Sequence, residues 1–347
     1  MRAVIFRAHG SPEKLEYVTD FPEPAINDDE ALVRVRATAL NHLDIWVRQG
    51  LPGLKLPLPH ISGCDISGEI FKTGRNVKNW KQGDAVIVAP GISCFNCKFC
   101  KSGRDNICAT YGIIGEHIHG GLAELVKVKK EQLLAKPENL SFEEAAAFPL
   151  TFLTAWHMLH THAQIAKSKS VAVLGAASGI GVAALQIAKL AGAGPIFALG
   201  SAAEKLSKAE ALGATHAILV KNDNPAFYRE ILKATDGQGV DIVFEHVGPA
   251  TMESSIKSLK KGGIIVTCGA TTGAKTPLDL RYFFTRELRL QGSIMGTLNE
   301  LKEIVKLVEA KKLKPVVDSV FPLEKTREAQ EKMLSRDFFG KIVIKIL

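Results

Sequence analysis

The spacing of apolar and polar positions changes near Ser141, and the change divides the chain. Before it, short β-favouring runs recur at Ala3–Phe6, Ala31–Ala37, Ile66–Lys72, Ala85–Val88 and Glu124–Val128. Pro, Gly, Asn and Asp punctuate them, as at Pro22-Glu23-Pro24 and Lys81-Gln82-Gly83-Asp84, which marks turns between strands. His42–Gln49 alone suits a short helix, ended by Gly50. This portion reads as a β-rich, barrel-like domain.

After it the rhythm becomes strand, helix, strand. Ser141-Phe142-Glu143-Glu144 fits a capping box, with Ser141 as N-cap and Glu144 as its reciprocal partner. Ala145–Leu159 continues as helix, with Pro149 forcing a kink or a break. Strands are expected at Val171–Leu174, Ile196–Leu199, Ala217–Val220, Asp241–Glu245, Ile264–Thr267 and Leu288–Gln291. Helices at Gly179–Ala191, Ala202–Leu212, Pro225–Thr235 and Thr251–Lys260 separate most of them. Such alternation predicts a parallel sheet covered on both faces, an α/β fold with the strand count of a dinucleotide-binding domain. Two further helices, Asn299–Ala310 and Glu324–Leu334, precede an apolar last strand, Lys341–Leu347, which is expected to return to the first domain.

The stretch from Val171 to Gly181 organises the second half. Four apolar residues, Val171-Ala172-Val173-Leu174, lead into Gly175-Ala176-Ala177-Ser178-Gly179-Ile180-Gly181, and a helix of good formers follows. A strand, a glycine turn and a helix N-terminus present bare backbone N–H groups to a phosphate. The usual G-x-G-x-x-G reads here as Ala176-x-Ser178-x-x-Gly181.

Composition narrows the classes. The 347 residues allow two domains, and 46% apolar with 23% charged residues is ordinary for a globular chain. A net charge of +8 invites a polyanionic partner, but the basic residues are dispersed; the densest group, Lys127-Val128-Lys129-Lys130, reads as a solvated strand end. Nucleic acid is therefore not the expected partner. The first residues are interrupted by Arg2 and Arg7 before a signal-peptide core forms, and no apolar run spans a membrane. A cytoplasmic, reducing setting is the expectation, in which six cysteines point to metal or chemistry before disulfides.

Four of those cysteines form the most specific motif, Cys94-x2-Cys97-x2-Cys100-x7-Cys108. Four thiolates this close can close a tetrahedral zinc site, and a site with every position filled is structural. A disulfide pair is the plainer alternative. An iron–sulfur cluster fits less well, because the last gap is long and Ala109 follows Cys108 where a proline is usual.

These cysteines and the later glycine turn resemble the zinc-containing medium-chain dehydrogenase/reductase superfamily, which holds alcohol dehydrogenases and quinone oxidoreductases. The resemblance includes Asn41-His42-Leu43-Asp44, Gly63 to Ile70, Gly120-Gly121-Leu122-Ala123-Glu124, Thr154-Ala155-Trp156 and Phe339-Gly340-Lys341-Ile342-Val343. It implies a GroES-like catalytic domain from residues 1–145 and 290–347, with a zinc lobe at 91–110, and an inserted Rossmann domain at 146–289. It also implies a homodimer or homotetramer. Where the family's alcohol dehydrogenases place three ligands for a catalytic zinc, this chain has Asn41, Cys64 and Leu150; where they have a glutamate, it has Asp65. Leucine cannot ligate, and asparagine is a poor zinc ligand. These positions resemble the quinone oxidoreductase branch, which generally lacks the four-cysteine lobe. The expectation is one structural zinc and no standard catalytic zinc. The alternative keeps an atypical catalytic metal at Cys64 and Asp65; Cys64 as a small packed residue is the other reading of that position.

Cofactor residues follow from the turn and the strand ends. Ala176, Ser178, Gly179, Ile180 and Gly181 would cradle a pyrophosphate. The second strand ends in Gly200-Ser201 with no carboxylate to take a ribose 2′-OH; Ser201 could donate to a 2′-phosphate and Lys205 could neutralise it, which favours NADP(H) over NAD(H). Lys205 as a solvated helix lysine is the plainer reading. His246 and Val247, after the fourth strand, should approach the nicotinamide ribose, and the resemblance puts Gly269-Ala270 near the ring. Cys268 should be buried and inert.

Hydride transfer to a carbonyl or enone builds negative charge on oxygen, which a donor or local dipole must stabilise. His42, Asn41, Trp46 through its indole N–H, and His117 or His119 are the candidates, with Asp44 beside them. By resemblance His42 stands where family enzymes often carry a relay histidine. Against this, a lone histidine is commonly structural, Trp46 can be core, and Asp44 and Arg48 can simply pair four residues apart. The resulting expectation is an NAD(P)H-dependent oxidoreductase acting on a small carbonyl, alcohol, enone or quinone. An alcohol dehydrogenase with a rebuilt metal site and a non-catalytic dinucleotide- or nucleic-acid-binding protein are the alternatives.

Overall fold

The computed structural model describes residues 1–220 and 226–347. It divides into two compact units, Met1–Leu150 with Thr297–Leu347, and Thr151–Gly296. The sequence placed the joins at 145/146 and 289/290; the structure counts the strand Arg289–Gly292 wholly with the second unit. Pro225, the expected start of one helix, lies outside the described residues; the helix described there is Tyr228–Ala234.

In the first unit a seven-stranded sheet runs in the order Val317–Pro322, Lys341–Lys345, Glu30–Ala39, Asp65–Thr73, Ala85–Val88, Leu133–Ala135, with Leu125–Lys129 also paired to Glu30–Ala39. Alternation decides its faces. In Glu30–Ala39, Val33, Val35 and Ala37 are buried while Arg34 is exposed, and the half-buried Arg36 reaches Glu69 on the neighbouring strand at 2.6 Å. Gly68 lies against that strand, where a Cβ would come within 2.1 Å of the Arg34 carbonyl oxygen, so no larger residue fits. The core gathers Ile5, Phe6, Val33, Ile66, Val86, Leu122 and Ile342.

One register matters for the chemistry. Ala39 lies opposite Asp65 on one side and Val343 on the other, both antiparallel. Two residues beyond Ala39 is Asn41, and two residues before Val343 is Lys341. Antiparallel pairing therefore carries Asn41 and Lys341 to the same place, although 300 residues separate them.

In the second unit the six strands are all parallel, in the order His216–Leu219, Ile196–Gly200, Val171–Val173, Val240–Glu245, Leu259–Thr267, Arg289–Gly292. In chain order this is 3-2-1-4-5-6, the doubly wound Rossmann arrangement, whose order reverses beside the first strand. Val171, Ala172 and Val173 are completely buried, as a central parallel strand requires.

The capping box forms: Ser141 Oγ accepts from the Glu144 N–H and Glu144 returns a bond to Ser141 N. Pro149 divides the helix as expected, into Phe142–Ala146 and Pro149–Trp156, and a π-turn over His157–His162 follows. Some elements were not read from the sequence. Leu280–Arg286 is a short helix started by Asp279, whose carboxylate accepts from the Arg281 N–H. Val317–Pro322 is a strand whose Asp318 and Ser319 mask its apolar pattern. Among the described residues no helix is long and apolar enough to cross a membrane.

Candidate active site and metal centre

The four cysteines of the first unit converge. Their sulfurs all lie within 4.8 Å of one another, with Cys97 to Cys100 at 3.5 Å and both Cys94 to Cys100 and Cys97 to Cys108 at 3.8 Å. A zinc–sulfur bond of about 2.3 Å in a tetrahedron sets the sulfurs about 3.8 Å apart. The residues therefore fit zinc. They do not form disulfides, since all six cysteines are free. Backbone N–H groups of Asn96 and Cys97 donate to Cys94 Sγ, and that of Cys94 to Cys108 Sγ. Such donors favour thiolate over thiol: hydrogen bonds from Thr110 and the Cys94 backbone bring the Cys108 thiol down to about 6. Asp105, inside the lobe, fixes it by accepting from the Leu298 N–H.

The positions the resemblance marks for a catalytic metal form a different object. Asn41 Nδ2 donates to Asp65 Oδ2 at 2.8 Å and lies 3.3 Å from Cys64 Sγ; Asn41 Oδ1 accepts from Lys341 Nζ at 2.6 Å. Lys341 Nζ also reaches Asp65 Oδ2 at 2.9 Å, and Asp65 Oδ1 accepts from the Leu150 N–H at 2.7 Å. Lys341 is 4% exposed and Asp65 0%. Leu150 offers only its backbone, and an ammonium occupies the approach to the carboxylate. Catalytic zinc does not fit this donor set. The Cys64 thiol is pushed well above its ordinary value by burial and by Asp65 and Asp44, so it is a packed thiol there.

Asn41, His42, Asp44 and Trp46 share the helix His42–Gln49 and its N-cap. Both N–H groups of the Asn41 amide are turned inward, to Asp65 and toward Cys64 or the Ala39 carbonyl, which removes it as a donor to a substrate oxygen. Asp44 accepts from the backbone N–H groups of Asn41 and Gly63 at 2.7 and 2.8 Å and is buried. It does not pair with Arg48, which instead reaches Gln330 and the Gly10 carbonyl. His42 and Trp46 are half-buried and meet edge to face, ring centres 5.0 Å apart. His117 lies on a separate turn, where its Nδ1 accepts from the Ile113 N–H. His119 meets Phe21 edge to face and His60 at a tilt, with ring centres 5.5 and 5.4 Å away.

In the second unit the glycine turn has the shape a phosphate needs. Gly175 adopts a left-handed φ of 54°, and a Cβ on Gly181 would stand 2.3 Å from the Gly175 carbonyl oxygen. Ser178 caps the helix Gly179–Leu190: its hydroxyl donates to Gly175 O and accepts from Gly181 N. Ala176 N bonds to Leu199 O, whereas the N–H groups of Gly179 and Ile180 have no partner among the described residues. Two unpartnered amides at a helix N-terminus fit a pyrophosphate.

The strand ends around the turn are laced together. His246 Nε2 donates to Leu174 O at 2.8 Å, and burial keeps the imidazole below its ordinary value, hence neutral. Thr271 Oγ1 donates to His246 O and Thr272 to Val247 O, joining the loop that holds Gly269 and Ala270 to that of His246 and Val247. Glu245, beneath them, is satisfied by Val247 N, Gly248 N, Thr251 and Ser255. Cys268, expected buried, is only half-buried, because it follows the end of its strand; desolvation of the sulfur still lifts the thiol to about 12, which keeps it protonated. Gly200 ends the second strand and Ser201 is exposed; Lys205 is half-buried on the following helix, Ala203–Ala211. The acid nearest in sequence, Glu204, pairs with Lys208 at 3.0 Å.

Lys341 was missed as a site residue. Its signal was present: a buried lysine directly after Gly340 opens a terminal strand, Lys341–Lys345, whose three middle residues are apolar and whose other lysine, Lys345, is exposed.

Comparison with known proteins agrees with both halves. Residues 27–138 match the alcohol dehydrogenase GroES-like domain and residues 179–310 the zinc-binding dehydrogenase domain. The chain is 34% identical to a crotonyl-CoA carboxylase/reductase of Cereibacter sphaeroides, over 94% of this chain and 82% of that protein. It is 31% identical to an NAD-dependent alcohol dehydrogenase of Sulfolobus acidocaldarius over the whole of both. Among solved structures, an NAD-dependent alcohol dehydrogenase superposes with a TM-score of 0.95 at 44% identity, covering 100% of each chain.

Proposed function

The chain belongs to the zinc-containing medium-chain dehydrogenase superfamily and is a nicotinamide-dependent oxidoreductase, and from that premise we propose that it reduces a carbonyl, enone or quinone without a catalytic zinc, preferring NADPH. The observation that carries the reading is the donor set at Asn41, Cys64, Asp65 and Leu150. Among the described residues only Cys94, Cys97, Cys100 and Cys108 gather three or more potential metal ligands. The rebuilt-metal alternative loses its support there, and a non-catalytic role is not favoured by relatives named as dehydrogenases and reductases.

When bound, the nicotinamide supplies the hydride. The chain's own residues do the rest. The amides of Gly179 and Ile180 would hold the pyrophosphate, and the neutral His246 keeps the strand ends in place. Ser201 and Lys205 take a 2′-phosphate. Asn41 being engaged internally, the oxygen-facing role falls to His42 and Trp46, with His42 passing a proton toward solvent. Zinc at the four cysteines holds the lobe. Four cysteines gathered as metal ligands favour a reducing, cytoplasmic setting.

The deciding experiment measures zinc per chain and NADPH oxidation with aldehydes, enones and quinones, before and after chelator treatment. Turnover at one zinc per chain, unchanged when an accessible metal is stripped, is the expected result. Two zincs with chelator-sensitive turnover would overturn the reading.

A further inference from the structure

Among the described residues the largest side chain wholly withdrawn from solvent is a cation, Arg48, at 0% exposed. It stands in the last turn of the helix His42–Gln49, whose Asp44, Ile45 and Val47 are buried with it. A cation suits a helix C-terminus, but the partial charge there falls short of a full anion. Every oxygen the guanidinium meets is neutral. Nε donates to Gln330 Oε1 at 2.8 Å, and Nη1 donates to the Gly10 carbonyl. Desolvation accordingly holds the group below its ordinary value, with no acid acting to raise it. A buried charge without a counter-charge is costly.

Gln330 arrives from the other side. In the helix Thr326–Ser335 the buried residues are Thr326, Ala329, Gln330 and Met333, the spacing of one helix face. Gln330 is 0% exposed, and its Nε2 has no partner; neither has Arg48 Nη2. Turning the amide over would only set Nε2 against Arg48 Nε, donor against donor. Nη2 shares Cζ with Nε, and Nε2 shares Cδ with Oε1, so the two unpartnered donors flank a single hydrogen bond. Each nitrogen carries two N–H groups. A water could accept from them, but only an anion also balances the charge.

We propose that Arg48 and Gln330 form a buried site for a small monovalent anion of the size of chloride, bound by Arg48 Nη2 and Gln330 Nε2. Neither residue belongs to the zinc lobe or to the corner around Asn41, and the site stands independently of the reductase reading. The anion ties the end of the helix that carries His42 and Trp46 to the helix Thr326–Ser335.

The test reads the bound halide directly and through stability. Crystals of the wild-type protein grown in bromide should show an anomalous peak within hydrogen-bond distance of both Arg48 Nη2 and Gln330 Nε2. Exchange of gluconate for chloride at fixed ionic strength should raise the melting temperature by equal increments per tenfold in chloride. Gln330→Glu brings a carboxylate to the guanidinium. It should lose the bromide peak, flatten the chloride response and melt above wild type in gluconate. Water in place of bromide overturns the proposal. A peak without a chloride response overturns it too, as an adventitious ion only, and so does a response as steep in Gln330→Glu as in wild type. Should Gln330→Glu not fold, Arg48→Met removes the charge and should flatten the response instead; an unchanged slope there overturns the proposal. The two wild-type readouts decide without either variant.

Discussion

His246 donates from Nε2 to the carbonyl oxygen of Leu174 at 2.8 Å, pinning the residue after the fourth parallel strand to the end of the first. The bond crosses the point where the strand order reverses, and Gly175 lies directly under the imidazole. A Cβ on Gly175 would stand 2.8 Å from His246 Cε1 and 2.9 Å from Nε2, and its φ of 54° disfavours any side chain.

Gly175→Ala should therefore displace His246 and deform the phosphate turn together. The strain and the lost bond are worth about 2–3 kcal/mol. Urea unfolding should show that drop, and dinucleotide fluorescence titration should show NADPH binding at least about tenfold weaker, from about 1.4 kcal/mol per factor of ten. Unchanged affinity would separate the turn from the cofactor.

Zinc at the lobe should be structural in its effects. Cys97→Ser removes one of four ligands and should release the metal, which elemental analysis reads directly. The lobe has few buried apolar side chains of its own, while the sheets rest on separate apolar clusters. Far-UV circular dichroism should change little, and proteolysis should move to residues 91–110. Retention of zinc by Cys97→Ser would show that three sulfurs suffice.

How much of this was legible in the sequence depended on how far apart the partners lie. The turn from Gly175 to Gly181 and the four cysteines are local, so spacing alone carried them. Lys341 reaches partners 276 and 300 residues away, and only the antiparallel register of three strands brings it there. Asp44 and Arg48 misled for the opposite reason: helical spacing allowed a pair, but Asp44 is taken by the Asn41 and Gly63 backbone and Arg48 by Gln330, 282 residues away. The strand Val317–Pro322 was hidden because its stability comes from pairing with Lys341–Lys345 and not from its own pattern.

Acid should weaken the first unit through His60, against an opposing gain from Asp44. It is completely buried, its Nε2 bonds to Gly115 O, and burial lowers its pKa from 6.5 to about 4. The folded state favours the neutral ring, so between about pH 6.5 and 4 the unfolded state holds more protons and stability falls as pH falls. The gap amounts to about 3 kcal/mol at most. His119 is lowered by burial as well and adds to it. Asp44, raised to about 6 by burial, acts oppositely: its folded form binds the proton more tightly, so it gains stability as pH falls through the same window. His60→Gln should thus flatten the loss between pH 6.5 and 4, read from urea midpoints. Equal pH dependence in both proteins would remove His60 as the cause.

Cofactor choice should turn on the end of the second Rossmann strand. Ser201→Asp places a carboxylate where a 2′-phosphate would lie and should reverse the preference toward NADH, with kcat/KM for NADPH falling at least about tenfold. Lys205→Ala should weaken NADPH and leave NADH unchanged. A wild type that prefers NADH would sink the assignment of both residues.

The sixth strand of the parallel sheet supplies the last prediction. Among the described residues Arg289–Gly292 pairs only with Leu259–Thr267, and all four of its residues are exposed. Leu280 and Phe284, on the helix before it, are about 70% exposed, and Ile294 after it is 48% exposed. An open strand edge offers unpaired backbone groups, and adjoining apolar side chains add area that favours burial. A second copy related by a two-fold axis meets both needs, pairing edge to edge with the same patch on each side. Sedimentation should show a dimer at micromolar concentration. Leu290→Lys with Ile294→Lys should shift it to monomer, because like charges would then face each other across the axis, while NADPH affinity stays the same. A monomeric wild type, or a doubly substituted protein that still dimerises, would place any self-association elsewhere on the surface.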